Sequence, residues 1–211
     1  METLQKQIAE KLLEVKAVRL QPNNPFTWAS GWKAPIYCDN RKTLSYPAVR
    51  TYIKLQLARV ISEMFPGVEA IAGVATGAIA QGALVADLLG LPFSYIRSTP
   101  KDHGLENLIE GEIKPGAKVV VIEDLISTGG SSLKAVEAVR KFGCEVIGMA
   151  AIYTHGFPQA EEAFKAADVK LITLSNYDAV IEEALRTNYV SREDVEALRE
   201  WRKSPETWKQ K

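Results

Sequence analysis

Short apolar runs alternate with helix-like segments through the middle of the chain, and this alternation restricts the fold more than any other feature. The runs 117–124 (AKVVVIED) and 145–154 (EVIGMAAIYT) have the length and composition of buried strands, and 131–143 between them has helical spacing. Strands joined through helices pair in parallel, with right-handed crossovers and with both faces of the sheet covered. The sequence therefore predicts an α/β fold with a mostly parallel central sheet flanked by helices.

A parallel sheet gathers the loops that follow its strands at one edge, and ligands bind at that edge. The functional side chains are therefore expected in loops that leave the carboxyl ends of the strands. The loops predicted to share this edge are 75–80, 97–115, 123–131 and 153–158.

Length, charge and cysteine content limit the number of domains and the kinds of partner that the chain is expected to have. The chain of 211 residues suits one domain, so 1–211 is expected to be a single domain with a small hood from about 1–45. Its 26 basic and 26 acidic residues balance, which gives no indication of a nucleic-acid or membrane surface. Charged residues interrupt 1–18, and no segment approaches the roughly 20 apolar residues that span a bilayer. Cys38 and Cys144 lack a CxxC partner, which fits a reduced, cytoplasmic protein.

The segment 119–132 (VVVIEDLISTGGSS) places two carboxylates, Glu123 and Asp124, at a strand end and a small-residue loop directly before a helix. Unpaired backbone N–H groups and the helix dipole favour an anion there, so loop 127–131 is predicted to cradle a phosphate. The carboxylates would repel a phosphate and instead need donors, such as sugar hydroxyl groups. The pattern thus describes a ribose 5-phosphate site, and the alternative is a capped turn with solvated acids.

This segment also resembles the phosphoribosyl pyrophosphate (PRPP) motif of the type I phosphoribosyltransferases. The resemblance implies the type I phosphoribosyltransferase fold, with a small N-terminal hood over the sheet. It implies that the two acids hold the 2′ and 3′ hydroxyl groups of the ribose and that the loop holds the 5-phosphate. The PRPP-binding residues of the motif are Glu123, Asp124, Leu125, Ile126, Ser127, Thr128, Gly129, Gly130 and Ser131.

Two other phosphate-binding motifs are excluded. The segment 111–118 (GEIKPGAK) has the glycine spacing of a P-loop, but Ala117 stands where the lysine belongs and the segment precedes a strand. No GxGxxG sequence follows a predicted strand, so a dinucleotide site lacks support.

A second group of charged residues follows the strand that ends at Arg97, with Lys101 and His103 spaced along a polar stretch. Such groups suit a pyrophosphate leaving group, because charge grows on it as its bond breaks. A solvated surface loop is the alternative. The spacing Arg-x-x-x-Lys-x-His-Gly resembles the catalytic loop of the orotate-specific phosphoribosyltransferases. The resemblance implies that all three residues are catalytic and bind PRPP of the neighbouring subunit, so that loop 97–110 completes that site in a homodimer.

A third motif is the small-residue turn in 73–82 (GVATGAIAQG), which follows a predicted strand. Backbone amides of Ala75, Thr76 and Gly77 are candidates for binding pyrophosphate, and a tight turn chosen for helix packing is the alternative. In the type I family the corresponding loop contacts pyrophosphate, so these residues are included in the PRPP site.

The aromatic stretch 26–47 resembles the hood segment that covers the pyrimidine in orotate-specific members of the family. The resemblance implies that Tyr37 stacks on orotate, and the Ser127 hydroxyl is a candidate contact to the same base. Some members place an arginine against the orotate carboxylate where this chain has Thr154 and His155. His155 is expected to lie at the surface of its turn, with replacement of that arginine as the alternative.

The resemblance implies transfer of the phosphoribosyl group from PRPP to orotate, with Mg²⁺ bound mainly through PRPP and no metal ligand from the protein. A purine or other pyrimidine phosphoribosyltransferase would share 119–132 but lack the signatures at 26–37 and 97–104. A non-catalytic PRPP-sensing regulator would need a nucleic-acid surface, which the balanced charge does not indicate.

Overall fold

The helices and strands lie within residues 2–28, 31–99 and 108–209, the parts of the chain that the computed structural model describes. The helices are α1 (Glu2–Glu14), α2 (Pro47–Met64), α3 (Ile79–Leu89), α4 (Gly130–Lys141), α5 (Pro158–Ala166), α6 (Tyr177–Arg186) and α7 (Arg192–Lys203), with a 3-10 turn at Asn40–Ser45. The strands are β1 (Val18–Leu20), β2 (Phe26–Thr27), β3 (Lys33–Ala34), β4 (Ile36–Cys38), β5 (Ala70–Val74), β6 (Phe93–Ile96), β7 (Ile109–Glu110), β8 (Lys118–Ile126), β9 (Glu145–Thr154) and β10 (Leu171–Asn176).

The central sheet has six strands in the order β10-β9-β8-β5-β6-β7. Each neighbouring pair is parallel except β6 and β7, which are antiparallel. The α/β class and the mostly parallel sheet predicted from the alternating pattern are thus confirmed.

Helices bury both faces of this sheet, which explains why β8 is an almost continuous apolar run. Along β8, Val119 and Val121 belong to the core beneath α4 and α5, whereas Val120 and Ile122 belong to the core beneath the other helices. Successive side chains of a strand point to opposite faces, so each face needs its own apolar residues.

Strands β1 to β4, which follow helix α1, form two small antiparallel ribbons outside the central sheet. In one ribbon β1 pairs with β4, with Arg19 opposite Tyr37, and in the other β2 pairs with β3. The C-terminal helix α7 begins with a capping box between Ser191 and Asp194, and Asp194 also accepts a hydrogen bond from Asn23. In the described parts of the chain, no helix has both the length and the apolar character that crossing a bilayer requires.

The carboxyl ends of the parallel strands meet at one edge of the sheet. Val74 of β5 lies opposite Ile96 of β6, and Ile126 of β8 lies opposite Thr154 of β9. The loops after these four strands therefore leave from the same edge, as the sequence predicts.

Candidate active site

A cavity of about 440 Å³ opens at this edge of the sheet. Three parts of the chain form its walls: the end of the β1–β4 ribbon, the loop after β5, and the end of β8 with the loop that follows. The lining residues are Cys38, Asp39, Arg41, Val74, Ala75, Thr76, Gly77, Glu123, Asp124, Leu125, Ser127, Thr128, Gly129 and Ser131.

The loop between β8 and α4 has the backbone geometry of an anion site. Gly129 has φ of +83°, and a Cβ atom there would lie 3.0 Å from the Phe164 ring, so only glycine fits without strain. Among the described residues no side chain caps α4. Its first-turn N–H groups lack intrahelical acceptors, and together with the helix dipole they favour a bound anion.

The loop is held from below by the neighbouring strand. The carbonyl oxygen of Ile126 accepts hydrogen bonds from the backbone N–H of His155 at 3.0 Å and from Thr154 Oγ1 at 3.3 Å. Ile126 itself is fully buried and does not line the cavity, so its predicted contact with PRPP stays a prediction.

The two adjacent acids occupy different environments. Glu123 is only 5% exposed, and its carboxyl accepts hydrogen bonds from Ser132 Oγ at 2.9 Å and from the backbone N–H of Asp124 at 3.0 Å. Burial, followed by the nearby charge of Asp124, raises the pKa of Glu123 to about 8. At neutral pH Glu123 is therefore mainly protonated.

This raised pKa makes the folding stability depend on pH. Between the ordinary value of 4.5 and about 8, the folded protein holds a proton at Glu123 that the unfolded chain has released. Raising the pH through this window therefore favours unfolding, and the penalty is complete above the folded pKa. Glu123→Gln removes the titration, so its stability relative to wild type should grow by roughly 2–4 kcal/mol between pH 5 and 8. Urea unfolding across this range measures the difference, and parallel pH profiles for the two proteins would contradict the assignment.

The loop after β5 packs directly on the second acid. A Cβ atom on Gly77 would overlap the carboxylate of Asp124, so the absence of a side chain lets the two segments touch. The N–H of Ala75 donates to the carbonyl oxygen of Ile96 at 2.8 Å, and the peptide bond between Ala75 and Thr76 is cis. Loop 75–77 and the acids therefore line one cavity.

Arg97 lies beside this cavity. It lines an adjacent cavity of about 500 Å³ together with Gly130, and Ala75 and Ser131 line both spaces. Its Nη1 donates to Glu110 Oε1 at 3.3 Å. The other two predicted catalytic residues, Lys101 and His103, lie outside the described residues.

Residues that the sequence motifs did not identify come from the end of the β1–β4 ribbon. Asn40 is 2% exposed, and its Nδ2 donates to the backbone carbonyl of Asp124 at 2.6 Å. Asp39 and Arg41 on either side of it line the cavity. The available signal is the polar run that follows the ribbon directly, but nothing in one sequence pairs it with Asp124.

Tyr37 belongs to this ribbon but does not line the cavity. Its ring lies 5.5 Å from the Phe26 ring, and the Arg19 guanidinium lies 5.0 Å from both ring centroids. The predicted contact of Tyr37 with a base stays a prediction.

The expectation that His155 lies at the surface is wrong. The imidazole is 1% exposed, stacks on Trp28 with ring centroids 5.5 Å apart, and meets the Trp201 ring edge-on. Burial lowers the pKa of His155 to about 3, and the charge of Arg202 adds to this effect. The side chain is therefore neutral at physiological pH, which also removes it as a cationic substitute for the arginine absent at this turn.

The C-terminal helix α7 closes the aromatic cluster around His155. Trp201 is fully buried and contacts the rings of Trp28 and Tyr177 at 5.5 and 5.6 Å. Arg202 donates to the carbonyl oxygen of Gly156 at 3.2 Å and forms an ion pair with Asp178. Helix α7 thus joins the N-terminal ribbons to the turn after β9.

Comparisons with known proteins agree with this geometry. Residues 53–187 match the model of the phosphoribosyl transferase domain. The chain is 79% identical over 208 residues to an orotate phosphoribosyltransferase of Porphyromonas gingivalis, covering 99% of each protein. It is 69% identical over 208 residues to an orotate phosphoribosyltransferase of Bacteroides thetaiotaomicron, covering 99% of this chain and 98% of that protein.

The fold is also similar to a solved structure. The crystal structure of orotate phosphoribosyltransferase from Aeropyrum pernix superposes with a TM-score of 0.76 at 27% identity. The match covers 87% of this chain and 99% of that one.

Proposed function

The chain belongs to the orotate phosphoribosyltransferases, and we propose that it transfers the 5-phosphoribosyl group from PRPP to N1 of orotate. The products are orotidine 5′-monophosphate and pyrophosphate, a step of de novo pyrimidine (UMP) biosynthesis. The observation that carries the proposal is the single cavity in which the α4 phosphate loop, Asp124 and loop 75–77 meet.

PRPP is proposed to bind with its 5-phosphate against loop 127–131 and its ribose over the paired acids. The free N–H groups at the start of α4 and the loop hydroxyl groups donate to the phosphate. The Asp124 carboxylate accepts from ribose hydroxyl groups, and Glu123 supports it through the hydrogen bond to the Asp124 backbone. Because Glu123 is held internally, Asp124 makes the more direct contact.

Pyrophosphate is proposed to leave from the side of the cavity formed by Ala75, Thr76 and Gly77. The N–H of Ala75 already donates to the carbonyl oxygen of Ile96, so the donors proposed here are the backbone N–H groups of Thr76 and Gly77, which add no negative charge. Arg97, Lys101 and His103 are proposed as the catalytic residues that neutralise the charge growing on the leaving group.

Mg²⁺ is proposed as the cofactor, held mainly by oxygen atoms of PRPP. Within the described residues, no cluster of three or more His, Cys, Asp or Glu side chains is arranged to hold a metal ion. The acids that line the cavity are Asp39, Glu123 and Asp124, and carboxylate oxygens are hard ligands that Mg²⁺ accepts together with substrate phosphates. When bound, the ion supplies positive charge to the pyrophosphate.

Orotate is proposed to bind between the phosphate loop and the N-terminal ribbons, with Ser127 and Tyr37 as contacts. As pyrophosphate leaves, the ribose C1 becomes oxocarbenium-like and N1 of orotate attacks it. The protein contributes mainly by holding both reactants in line and by stabilising charge. Because His155 is buried and neutral, the Ser127 hydroxyl and backbone amides of the hood are the candidates for the orotate carboxylate.

A homodimer is proposed in which loop 97–110 completes the site of the neighbouring subunit. Mixing Lys101→Ala chains with Asp124→Ala chains tests this arrangement, because a mixed dimer contains one site with both native residues. Activity should return to about a quarter of the wild-type level on random mixing, whereas each variant alone stays inactive. Absence of recovery in a mixture shown to contain heterodimers would contradict a shared site.

The cellular setting and domain organisation follow the same proposal. Residues 1–211 are proposed to form one domain with a hood from about 1–45, supported by the contacts of Trp28 with His155 and Trp201. A cytoplasmic location is proposed because Cys38 and Cys144 are both free thiols.

A panel of bases tests the proposed substrate. Purified protein, PRPP and Mg²⁺ are incubated with orotate, uracil, hypoxanthine or adenine, and nucleotide formation is followed by chromatography. Of the four bases, only orotate should yield a nucleotide. Turnover with another base would retain the PRPP site but contradict the assignment of 26–37, and PRPP binding without any turnover would favour a regulator.

A further inference from the structure

The cavity wall carries an arginine to which none of the sequence motifs assigns a role. Of the described residues that line the cavity, Arg41 is the one with a cationic side chain, and it shares the cavity with the acids Asp39, Glu123 and Asp124. Both substrates of the proposed reaction are anions, and PRPP carries several negative charges. A cavity with three acids binds such a ligand more readily if a cation lies at its wall.

The position of Arg41 is fixed by the two residues that precede it in the chain. Asn40 is buried and ties the 3-10 turn to the backbone of Asp124 through the 2.6 Å hydrogen bond. Its backbone carbonyl also accepts from Thr43 Oγ1 at 2.6 Å, which tightens the turn. The turn that carries Arg41 is therefore anchored on the strand that carries the ribose-binding acid.

Asp39 orients the guanidinium of Arg41 through a two-pronged contact. Arg41 Nε donates to Asp39 Oδ1 at 2.7 Å and Nη2 donates to Oδ2 at 3.1 Å. A guanidinium has five N–H donors, so this two-pronged contact leaves donors for another oxygen ligand. The Arg41 side chain is 57% exposed, so little desolvation opposes a further contact.

We propose that Arg41 binds anionic phosphate oxygen atoms of PRPP on the pyrophosphate side of the cavity. Loop 75–77 and the turn that carries Arg41 both contact Asp124: Gly77 packs on its carboxylate, and Asn40, next to Arg41 in the chain, donates to its backbone carbonyl. The shared chemistry, an anionic oxygen pair recognised by a planar guanidinium, also fits the orotate carboxylate. The pyrophosphate is assigned because loop 75–77 and the turn that carries Arg41 contact the same acid, and the inference rests on the proposed function.

Charge deletion at two adjacent positions tests the inference. Arg41→Gln removes the guanidinium proposed to bind PRPP. Lys42→Gln removes the same charge one residue away, and Lys42 Nζ donates to the carbonyl oxygen of Lys16 at 3.2 Å. Titration calorimetry with Mg²⁺-PRPP and with Mg²⁺-pyrophosphate measures affinity, and steady-state kinetics give KM for each substrate.

Arg41→Gln should weaken PRPP and pyrophosphate by about 10- to 100-fold, the effect of losing a charge-assisted hydrogen bond. KM for orotate should stay within about twofold, and Lys42→Gln should match wild type in all three quantities. Arg41→Lys keeps the positive charge but lacks the planar guanidinium with its paired N–H donors. It should therefore lose less PRPP and pyrophosphate affinity than Arg41→Gln, but still some.

Three outcomes would overturn the inference: unchanged PRPP affinity in Arg41→Gln, an equal loss in Lys42→Gln, or a loss confined to orotate. The last result would assign Arg41 to the carboxylate. Failure of the proposed function is a separate result, because wild-type protein would then form no nucleotide from orotate, whatever its affinity for PRPP.

Discussion

Lys101→Ala is expected to lower kcat by about 100- to 1,000-fold while orotate affinity changes little. The pyrophosphate group gains negative charge only as its bond to the ribose breaks, so a cation aimed at it stabilises the transition state more than the bound substrate. Steady-state kinetics with saturating PRPP measure the change in kcat, and calorimetry measures orotate binding.

Lys203→Ala is the matched control, because Lys203 is an exposed lysine at the end of α7, outside the residues that line the cavity. Its kinetics should equal those of wild type. A wild-type kcat in Lys101→Ala would remove Lys101 from the proposed catalytic group.

Trp201→Ala is expected to destabilise the protein by roughly 3–5 kcal/mol, the cost of deleting a fully buried aromatic side chain. The indole contacts Trp28, His155, Phe157 and Tyr177. Its removal opens a cavity where the N-terminal ribbons, the turn after β9 and α7 meet. Urea unfolding monitored by circular dichroism measures the change.

Trp201→Phe separates ring packing from the indole N–H. Among the described residues the indole N–H has no hydrogen-bond partner. Replacement by phenylalanine therefore reduces the buried volume without removing a hydrogen bond. Trp201→Phe should therefore cost clearly less than Trp201→Ala. Equal losses in the two variants, or a loss below about 1 kcal/mol in Trp201→Ala, would contradict the role of this cluster.

The central sheet was predictable because each of its long strands is buried on both faces. Burial on both faces requires a continuous apolar run, and β8 and β9 display that run without ambiguity. The N-terminal ribbons were not predictable from the sequence, because β2 and β3 contain only two residues each and leave no periodic pattern. The burial of His155 was also missed, because Trp28 and Trp201 reach it from opposite ends of the chain.

The candidate site also has parts that the sequence predicts and parts that only the fold reveals. The acids and phosphate loop are contiguous in sequence, so local chemistry predicts them as one unit, and the parallel sheet brings loop 75–77 beside them. Asn40 contacts Asp124 across a separation of 84 residues, and only the folded chain reveals that pair. Likewise, the raised pKa of Glu123 depends on burial that the sequence does not specify.

The most direct test of the account follows orotate absorbance after PRPP and Mg²⁺ are added to wild-type protein and to Asp124→Ala. Wild type should consume orotate and release pyrophosphate in equal amounts, and Asp124→Ala should lose nearly all of this activity because the ribose loses its carboxylate partner. Undiminished turnover by Asp124→Ala, or no consumption of orotate by wild type, would contradict the proposed site and reaction.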